Sequence, residues 1–227
     1  MKNPSQTLEP NFILFGGAFD PPHNGHHDCI KLTQQRFPEA DICIVPSLMV
    51  PASRLETKPV QASFDDRMEM CRIAFADLVK APQILDVERH LPTPSYTIQT
   101  MGYLHKKFPD KRLGFIIGLD QMNKLHSWLK PLKVLELASL VLISRDEIHI
   151  ENALHDLSRN LGIPVGKFQD SRIELGNYKP AFFISNPTTP ISSSKIRQIL
   201  KDLESMPDSA IDPKVLQYIH KKKLYSK

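Results

Sequence analysis

Phe12-Ile13-Leu14-Phe15-Gly16-Gly17-Ala18-Phe19-Asp20-Pro21-Pro22-His23-Asn24-Gly25-His26 is the stretch from which the fold can be read. Phe12 to Phe15 are apolar on both alternating faces, as a strand buried on both sides requires. Gly16 and Gly17 follow directly, and glycines there let the backbone approach a ligand and aim its N–H groups at it. A helix is expected to start near Gly25, and a helix N-terminus adds partial positive charge suited to phosphate. Strand, glycine turn and helix make the first unit of an α/β fold.

Working outward, short apolar runs recur at Ile42 to Val45, Ile84 to Val87, Leu113 to Ile117, Leu140 to Ile143 and Phe182 to Ile184. Each reads as a buried strand. Between them lie stretches with helical spacing. Asp65 to Val79 is the clearest, with Phe64, Met68, Cys71, Phe75 and Leu78 three or four apart and Ser63 and Asp66 as a capping pair. Ser95 to Phe108, Lys195 to Leu203 and Pro213 to Lys222 read as further helices. Strands alternating with helices imply right-handed crossovers and a mostly parallel, doubly wound sheet with helices on both faces. Ligands in such sheets bind beyond the carboxyl ends of the strands. Residues just after Phe15, Val45, Val87, Ile117 and Ile184 are therefore expected to line the site. Val50 to Ala62 and Asp146 to Lys179 are rich in Pro, Asp, Asn and Gly and read as excursions, so residues 1–227 are taken as one domain with the helices of about 191–227 packed on it.

Composition narrows the partners. The chain has 227 residues, 41% of them apolar, enough for a full core. Its 29 Lys and Arg against 25 Asp and Glu leave a formal charge of +4, too small to argue for nucleic acid or a membrane surface. Cys29, Cys43 and Cys71 are scattered, with no Cys-x-x-Cys spacing. They read as reduced thiols rather than a disulfide framework or zinc ribbon. Met1 to Pro10 is polar, and no segment has the length of a membrane span, so a cytoplasmic protein is expected. A homo-oligomer is left open.

His23 and His26 are three apart and share one face of a helical turn. Two imidazoles facing phosphates can donate to charge that builds up during group transfer. A lone His near a helix start is more often a cap or surface residue. His23, His26, His27, Asp28 and Cys29 could also be read as a metal cluster, but no distant ligand set accompanies them. The stretch is neither a Gly-x-Gly-x-x-Gly fingerprint nor a Walker loop.

Gly16 to His26 resembles the signature of the nucleotidyltransferases that carry a His-x-Gly-His motif. In that family the two histidines contact ATP phosphates, which assigns this role to His23 and His26, with Gly16, Gly17, Ala18 and Phe19 beside the ATP. The second half of the signature resembles Ile191-Ser192-Ser193-Ser194-Lys195-Ile196-Arg197. Three hydroxyls and exposed N–H groups at a helix start, with Arg197 one turn in, suit a phosphate. Read alone, the serines would be a helix cap.

Further segments resemble one branch of that superfamily, the nicotinate-nucleotide adenylyltransferases: Pro94-Ser95-Tyr96-Thr97-Ile98-Gln99-Thr100, Phe115-Ile116-Ile117-Gly118-Leu119-Asp120 with Trp128, Arg67, and the ending from Pro213 to Tyr225. The resemblance spans nearly the whole chain and implies a Rossmann-like fold. It places Trp128 against the pyridine ring, where an indole face suits a cation, and Thr97 and Tyr96 at the mononucleotide. Gly118 and Asp120 fall to the nucleotide, Asp120 as acceptor for a ribose. Ser192, Ser193, Ser194 and Arg197 fall to its phosphates. ATP is then a co-substrate with Mg²⁺ bridging its phosphates, and no residue is assigned to the metal. Ala18 departs from the usual Thr or Ser. Pro51-Ala52-Ser53-Arg54 replaces Pro-Pro-His-Lys, which makes Arg54 the candidate for the lost charge and Lys58 its rival. Arg145-Asp146-Glu147 stands where Arg-Pro-Gly is usual. The reaction implied is adenylyl transfer to nicotinate mononucleotide. Its alternatives are the same transfer to nicotinamide mononucleotide, phosphopantetheine adenylylation, a metal-dependent hydrolase, and a non-catalytic nucleotide sensor.

Overall fold

The computed structural model describes residues 9–51, 57–58, 60–144, 150–166, 168–186, 191–202 and 205–226. Element order is β1 (Phe12–Gly17), α1 (Asn24–Arg36), β2 (Asp41–Pro46), β3 (Val50–Pro51), β4 (Thr57–Lys58), α2 (Phe64–Ala74), β5 (Gln83–Ile84), α3 (Thr97–Lys107) and β6 (Leu113–Gly118). There follow α4 (Leu119–Met122), α5 (Pro131–Leu137), β7 (Ala138–Ser144), α6 (Ile150–Leu161), β8 (Phe168–Gln169), β9 (Arg172–Ile173), β10 (Ala181–Ser185), α7 (Ser193–Asp202) and α8 (Pro213–Lys222).

The main sheet runs β5-β2-β1-β6-β7-β10-β9-β8. From β5 to β10 every pairing is parallel, and β9 and β8 add antiparallel. The chain leaves β1 toward β2 and β5, then returns to lay β6 on the other side of β1. That reversal is the switch point at which such sheets bind ligands. The doubly wound architecture read from the sequence is the one observed.

Period-two alternation along β1 sorts its side chains onto two cores. Phe12 and Leu14 join Met101 and Leu104 of α3, Leu135 of α5 and Leu154 of α6. Ile13 and Phe15 join Ile30 of α1, Met70 and Cys71 of α2, Ile196 of α7, and Val215 and Ile219 of α8. The three cysteines are buried thiols. Among the described residues, no helix is long and apolar enough to cross a membrane.

Several local expectations are corrected. The helix expected to run to Val79 ends at Ala74. Phe75 and Leu78 keep their apolar periodicity by burying themselves from the turn that follows, at 1% and 8% exposure, while Val79 is fully out. Ile84 to Val87 is not one strand. β5 stops at Ile84, the Leu85 N–H still donates to Ile44 O (2.8 Å), and Val87–His90 coils into a 3₁₀ turn. The span Asp146 to Lys179 is not a loose excursion, since it holds α6 and the β8–β9 hairpin. Ile150, Ala153, Leu154 and Leu157 carry a helical apolar stripe into the core. Asp170 and Ser171 turn the hairpin in two residues, both at positive φ, as a turn matched to the strand twist requires.

Candidate active site

The loop after β1 is built around a buried carboxylate. Asp20 is 1% exposed. Its Oδ2 accepts the Gln61 N–H (2.8 Å), and its Oδ1 accepts the Ala62 N–H (3.0 Å) and the Tyr225 hydroxyl (2.7 Å). Burial, then the neighbouring Asp20 charge, pushes the Tyr225 phenol up, so it stays a donor. Arg67, with no exposed surface, reaches under the same loop. Its Nη1 donates to Ala18 O and Ser47 O (both 2.7 Å) and its Nε to Ala62 O (3.3 Å). Burial draws the Arg67 guanidinium below its ordinary value, and the Asp20 charge opposes that. One arginine thus fastens the ends of β1 and β2 to the start of α2.

His23 caps α1 and is 3% exposed, and its ring stacks on His26 at 3.7 Å between centroids. The His23 backbone N–H donates to His26 Nδ1 (3.2 Å). That bond assigns the His26 proton to Nε2. Phe15 and Phe19 pack edge-on or tilted against the His26 ring at 5.8 and 5.0 Å and fix its plane. Gly25 makes the stack fit, since a Cβ there would stand 3.1 Å from His23 Nδ1 and Cε1. Phe19, expected among the ATP contacts, has its ring buried at 1% exposure and braces His26 from behind, so only its backbone can meet a ligand. His27 turns away to Asp77 (3.2 Å), which separates it from the two stacked rings.

The serine motif closes onto this loop from the far end of the chain. Ser193 Oγ donates to Pro21 O (2.8 Å), and Arg197 Nη1 donates to Asp20 O (2.6 Å) and stands 3.8 Å from Asp20 Oδ2. Ser192 Oγ caps α7 by accepting the Lys195 N–H (3.2 Å), and Ser194 Oγ accepts from Arg197 Nη2 (3.2 Å). The cap reading holds for one of the three serines. Ser192 is the cap, and Ser193 and Ser194 tie the motif together.

A cavity of about 350 Å³ opens at the switch point between β1 and β6. Gly16, Gly17, His26, Gly118, Asp120, Thr97 and Trp128 are among the residues that line it. The Trp128 indole stands edge-to-face on Phe115 at 6.0 Å, is half-buried and lines the cavity. A Cβ at Gly118 would lie 2.5 Å from Asp120 Oδ1, so the Asp120 carboxylate would have to turn aside. Residues after β2 and β6 line the cavity as expected, and so does Glu88 after Val87, whereas Ser185 and Asn186, the described residues that follow Ile184, do not. Tyr96 caps α3 beside the cavity through its N–H, which donates to Gln99 Oε1 (2.7 Å), and is not among the lining residues. His23, Ala18, Arg197 and the three serines stand behind the lining, around the β1 loop. Arg54 lies outside the described residues. Lys58 pairs through its backbone with Val50 in the β3–β4 hairpin, and its side chain is likewise outside the description.

Glu88 and Thr100 line the cavity although no individual role is assigned to either from the sequence. Glu88, 7% exposed, accepts the Leu48 N–H (2.8 Å) and the Ser95 hydroxyl on its Oε2. Burial raises the Glu88 carboxyl, against those two bonds and the Arg67 charge. Thr100, one turn after Thr97, lines the same wall. The signal for Thr100 was its three-residue spacing from Thr97. Glu88 is reached only through its place just after Val87, and its partners come from the segment after β2 and the turn before α3.

A switch-point cavity with a glycine turn, stacked imidazoles and a second motif bolted onto the first defines a nucleotidyltransferase site. The chain belongs to the cytidylyltransferase-like family, whose pattern matches residues 14–199. Its relatives within that family are nicotinate-nucleotide adenylyltransferases. The proteins named probable nicotinate-nucleotide adenylyltransferase from Leptospira borgpetersenii and Leptospira interrogans are 30% and 29% identical to it, over 94% of this chain and 96% of theirs. The structure of Plasmodium falciparum nicotinic acid mononucleotide adenylyltransferase complexed with NaAD superposes with a TM-score of 0.72 at 21% identity, covering 96% of this chain and 98% of that one, a likeness of fold.

Proposed function

We propose that this chain transfers the adenylyl group of ATP to nicotinate mononucleotide, giving nicotinate adenine dinucleotide and pyrophosphate. The observation that carries the reading is the meeting of the two motif halves, Arg197 on Asp20 O and Ser193 on Pro21 O, beside a cavity lined by Thr97 and Trp128. The same meeting supports residues 1–227 working as one domain. Buried thiols and the lack of a membrane-crossing helix among the described residues support a cytoplasmic setting.

The mononucleotide's 5′-phosphate oxygen attacks the α-phosphorus of ATP in line. The bond from that phosphorus to the bridging oxygen breaks, and pyrophosphate leaves with the electron pair. A phosphate monoester is already nucleophilic, so the chain needs to supply position and countercharge rather than a base. His26 Nε2–H donates to the phosphate oxygens, held in plane by Phe15, Phe19 and the His23 ring. Gly16 and Gly17 let the backbone lie close to the phosphates, and Arg197 adds charge from α7. Asp120 accepts from a ribose, and Trp128 and Thr97 hold the pyridine and its carboxylate. ATP enters as its Mg²⁺ complex, with the metal neutralising phosphate charge.

The test is pyrophosphate release from ATP and Mg²⁺ with nicotinate mononucleotide or nicotinamide mononucleotide supplied separately. Release with the acid and little with the amide is the expected result. Release with the amide alone would overturn the substrate, and silence with both would overturn the reaction.

A further inference from the structure

Thr100 carries a buried hydroxyl that the protein does not use. The residue is 3% exposed, and its Oγ1 has no hydrogen-bond partner. Threonines within helices ordinarily turn the hydroxyl onto the carbonyl four residues back. This chain does so elsewhere, where Thr33 Oγ1 donates to Cys29 O at 2.7 Å in α1. In α3 the corresponding carbonyl, Tyr96 O, takes the Thr100 N–H (3.2 Å), and the hydroxyl takes nothing. Nor does the nearby carboxylate engage it, since the bonds to Glu88 come from Leu48 and Ser95. Buried polar groups in folded proteins are almost always paired, so a lone hydroxyl in a cavity wall calls for a partner from outside the chain.

The wall itself says which chemistry fits. Thr97 and Thr100 stand one turn apart on the cavity face of α3, at the N-terminal end of an 11-residue helix. The hydroxyls and the helix end together present donors and partial positive charge. Trp128 flanks the same cavity with an aromatic face. A flat ring bearing an anionic acceptor satisfies both features.

We propose that Thr100 is a substrate-binding residue whose hydroxyl donates to the carboxylate on the pyridine ring of the mononucleotide, beside Thr97. This rests on the adenylyl-transfer reading and extends it to a second hydroxyl at the ring. Oγ1 is covered in this conformation, and rotation about the Cα–Cβ bond is the movement that turns it to the ligand, with no change of backbone. The arrangement favours the acid over the amide, because a carboxylate accepts from both hydroxyls at once.

Thr100→Val is nearly isosteric and removes the hydroxyl alone. The KM for nicotinate mononucleotide is expected to rise roughly tenfold, the scale of one hydrogen bond to a charged group. The KM for ATP should stay within about twofold, and the melting temperature should hold or rise, because an unpaired hydroxyl leaves the interior. Thr100→Ser should restore the KM. A residue that only fills space would show the stability change with no change in KM, and that result overturns the proposal. If the wild type turns over the acid and Thr100→Val does too with unchanged KM, only this inference falls. If the wild type does not turn over, calorimetric titration with nicotinate mononucleotide decides. Weaker binding by Thr100→Val upholds Thr100, equal binding removes it, and no binding by either protein removes both readings.

Discussion

Arg197 donates from Nη1 to the backbone carbonyl of Asp20 at 2.6 Å, although the two residues stand 177 positions apart in the chain. Its Nη2 donates to Ser194 Oγ (3.2 Å), so the guanidinium is held at both ends of its fork. A lysine offers one point of charge and cannot span both acceptors. Arg197→Lys is therefore expected to lower kcat about tenfold or more, and Arg197→Ala about a hundredfold, the scale of losing a charge-stabilising donor. Steady-state pyrophosphate release measures both. Equal kcat for Lys and Arg would show that charge alone matters there.

Asp20 accepts from Gln61, Ala62 and Tyr225 while its backbone receives Arg197, so one buried carboxylate joins the β1 loop to the start of α2 and the chain's end. In Asp20→Asn an amide NH₂ would face at least one N–H or O–H donor. Stability should fall by about 1–3 kcal/mol, the cost of a buried donor left unsatisfied. Thermal unfolding should show the loss together with weakened turnover. A variant as stable as the wild type would mean that the loop is not held through this residue.

His26 Nδ1 is occupied by the His23 N–H, which leaves Nε2 as the donor toward the cavity. His26→Ala should cut kcat by about a hundredfold while circular dichroism and the KM for the mononucleotide change little. A KM rise with kcat intact would move His26 from stabilising the reaction to binding its substrate.

Much of this was legible before any coordinates. Phe12 to Phe15, Ile42 to Val45 and Leu113 to Ile117 announce central strands because both faces are apolar, and the glycine turn after Phe15 announces a loop that meets the cavity. The short edge strand β5 was overextended because Leu85 and Val87 are apolar for packing against the core, not for pairing. Helix α6 was hidden by its polar composition, although Ile150, Ala153, Leu154 and Leu157 carry the period. In the site, what the sequence concealed is what depends on distant partners. Arg67 is bound to four backbone carbonyls from three segments, and Glu88 takes bonds from Leu48 and Ser95. No local pattern encodes such a meeting.

Trp128 is anchored by its edge-to-face contact with Phe115 and turns toward the cavity beside Thr97. Trp128→Ala should raise the KM for the mononucleotide several-fold, consistent with roughly 1 kcal/mol for a cation over an indole, and leave the KM for ATP nearly unchanged. Parallel increases for the two substrates would take the indole away from the pyridine. Trp128→Phe should recover part of the loss because it keeps an aromatic face.

Glu88 supplies a pH dependence of known sign. Burial raises its carboxyl above the ordinary 4.5, so the unfolded chain releases that proton at lower pH than the folded one does. The stability associated with Glu88 is then full below 4.5 and declines as the pH climbs through the raised folded value. Glu88→Gln keeps an oxygen for the Leu48 N–H and the Ser95 hydroxyl and has no proton to lose. Its melting temperature relative to the wild type should therefore increase as the pH rises from 4.5 toward neutrality and level off once Glu88 is ionised in the folded state. Melting curves at a series of pH values test this. A difference that is flat from pH 4 to 8 would mean that Glu88 ionises in the fold as easily as it does in the open chain, so that its bonds to Ser95 and Leu48 and the Arg67 charge fully offset its burial.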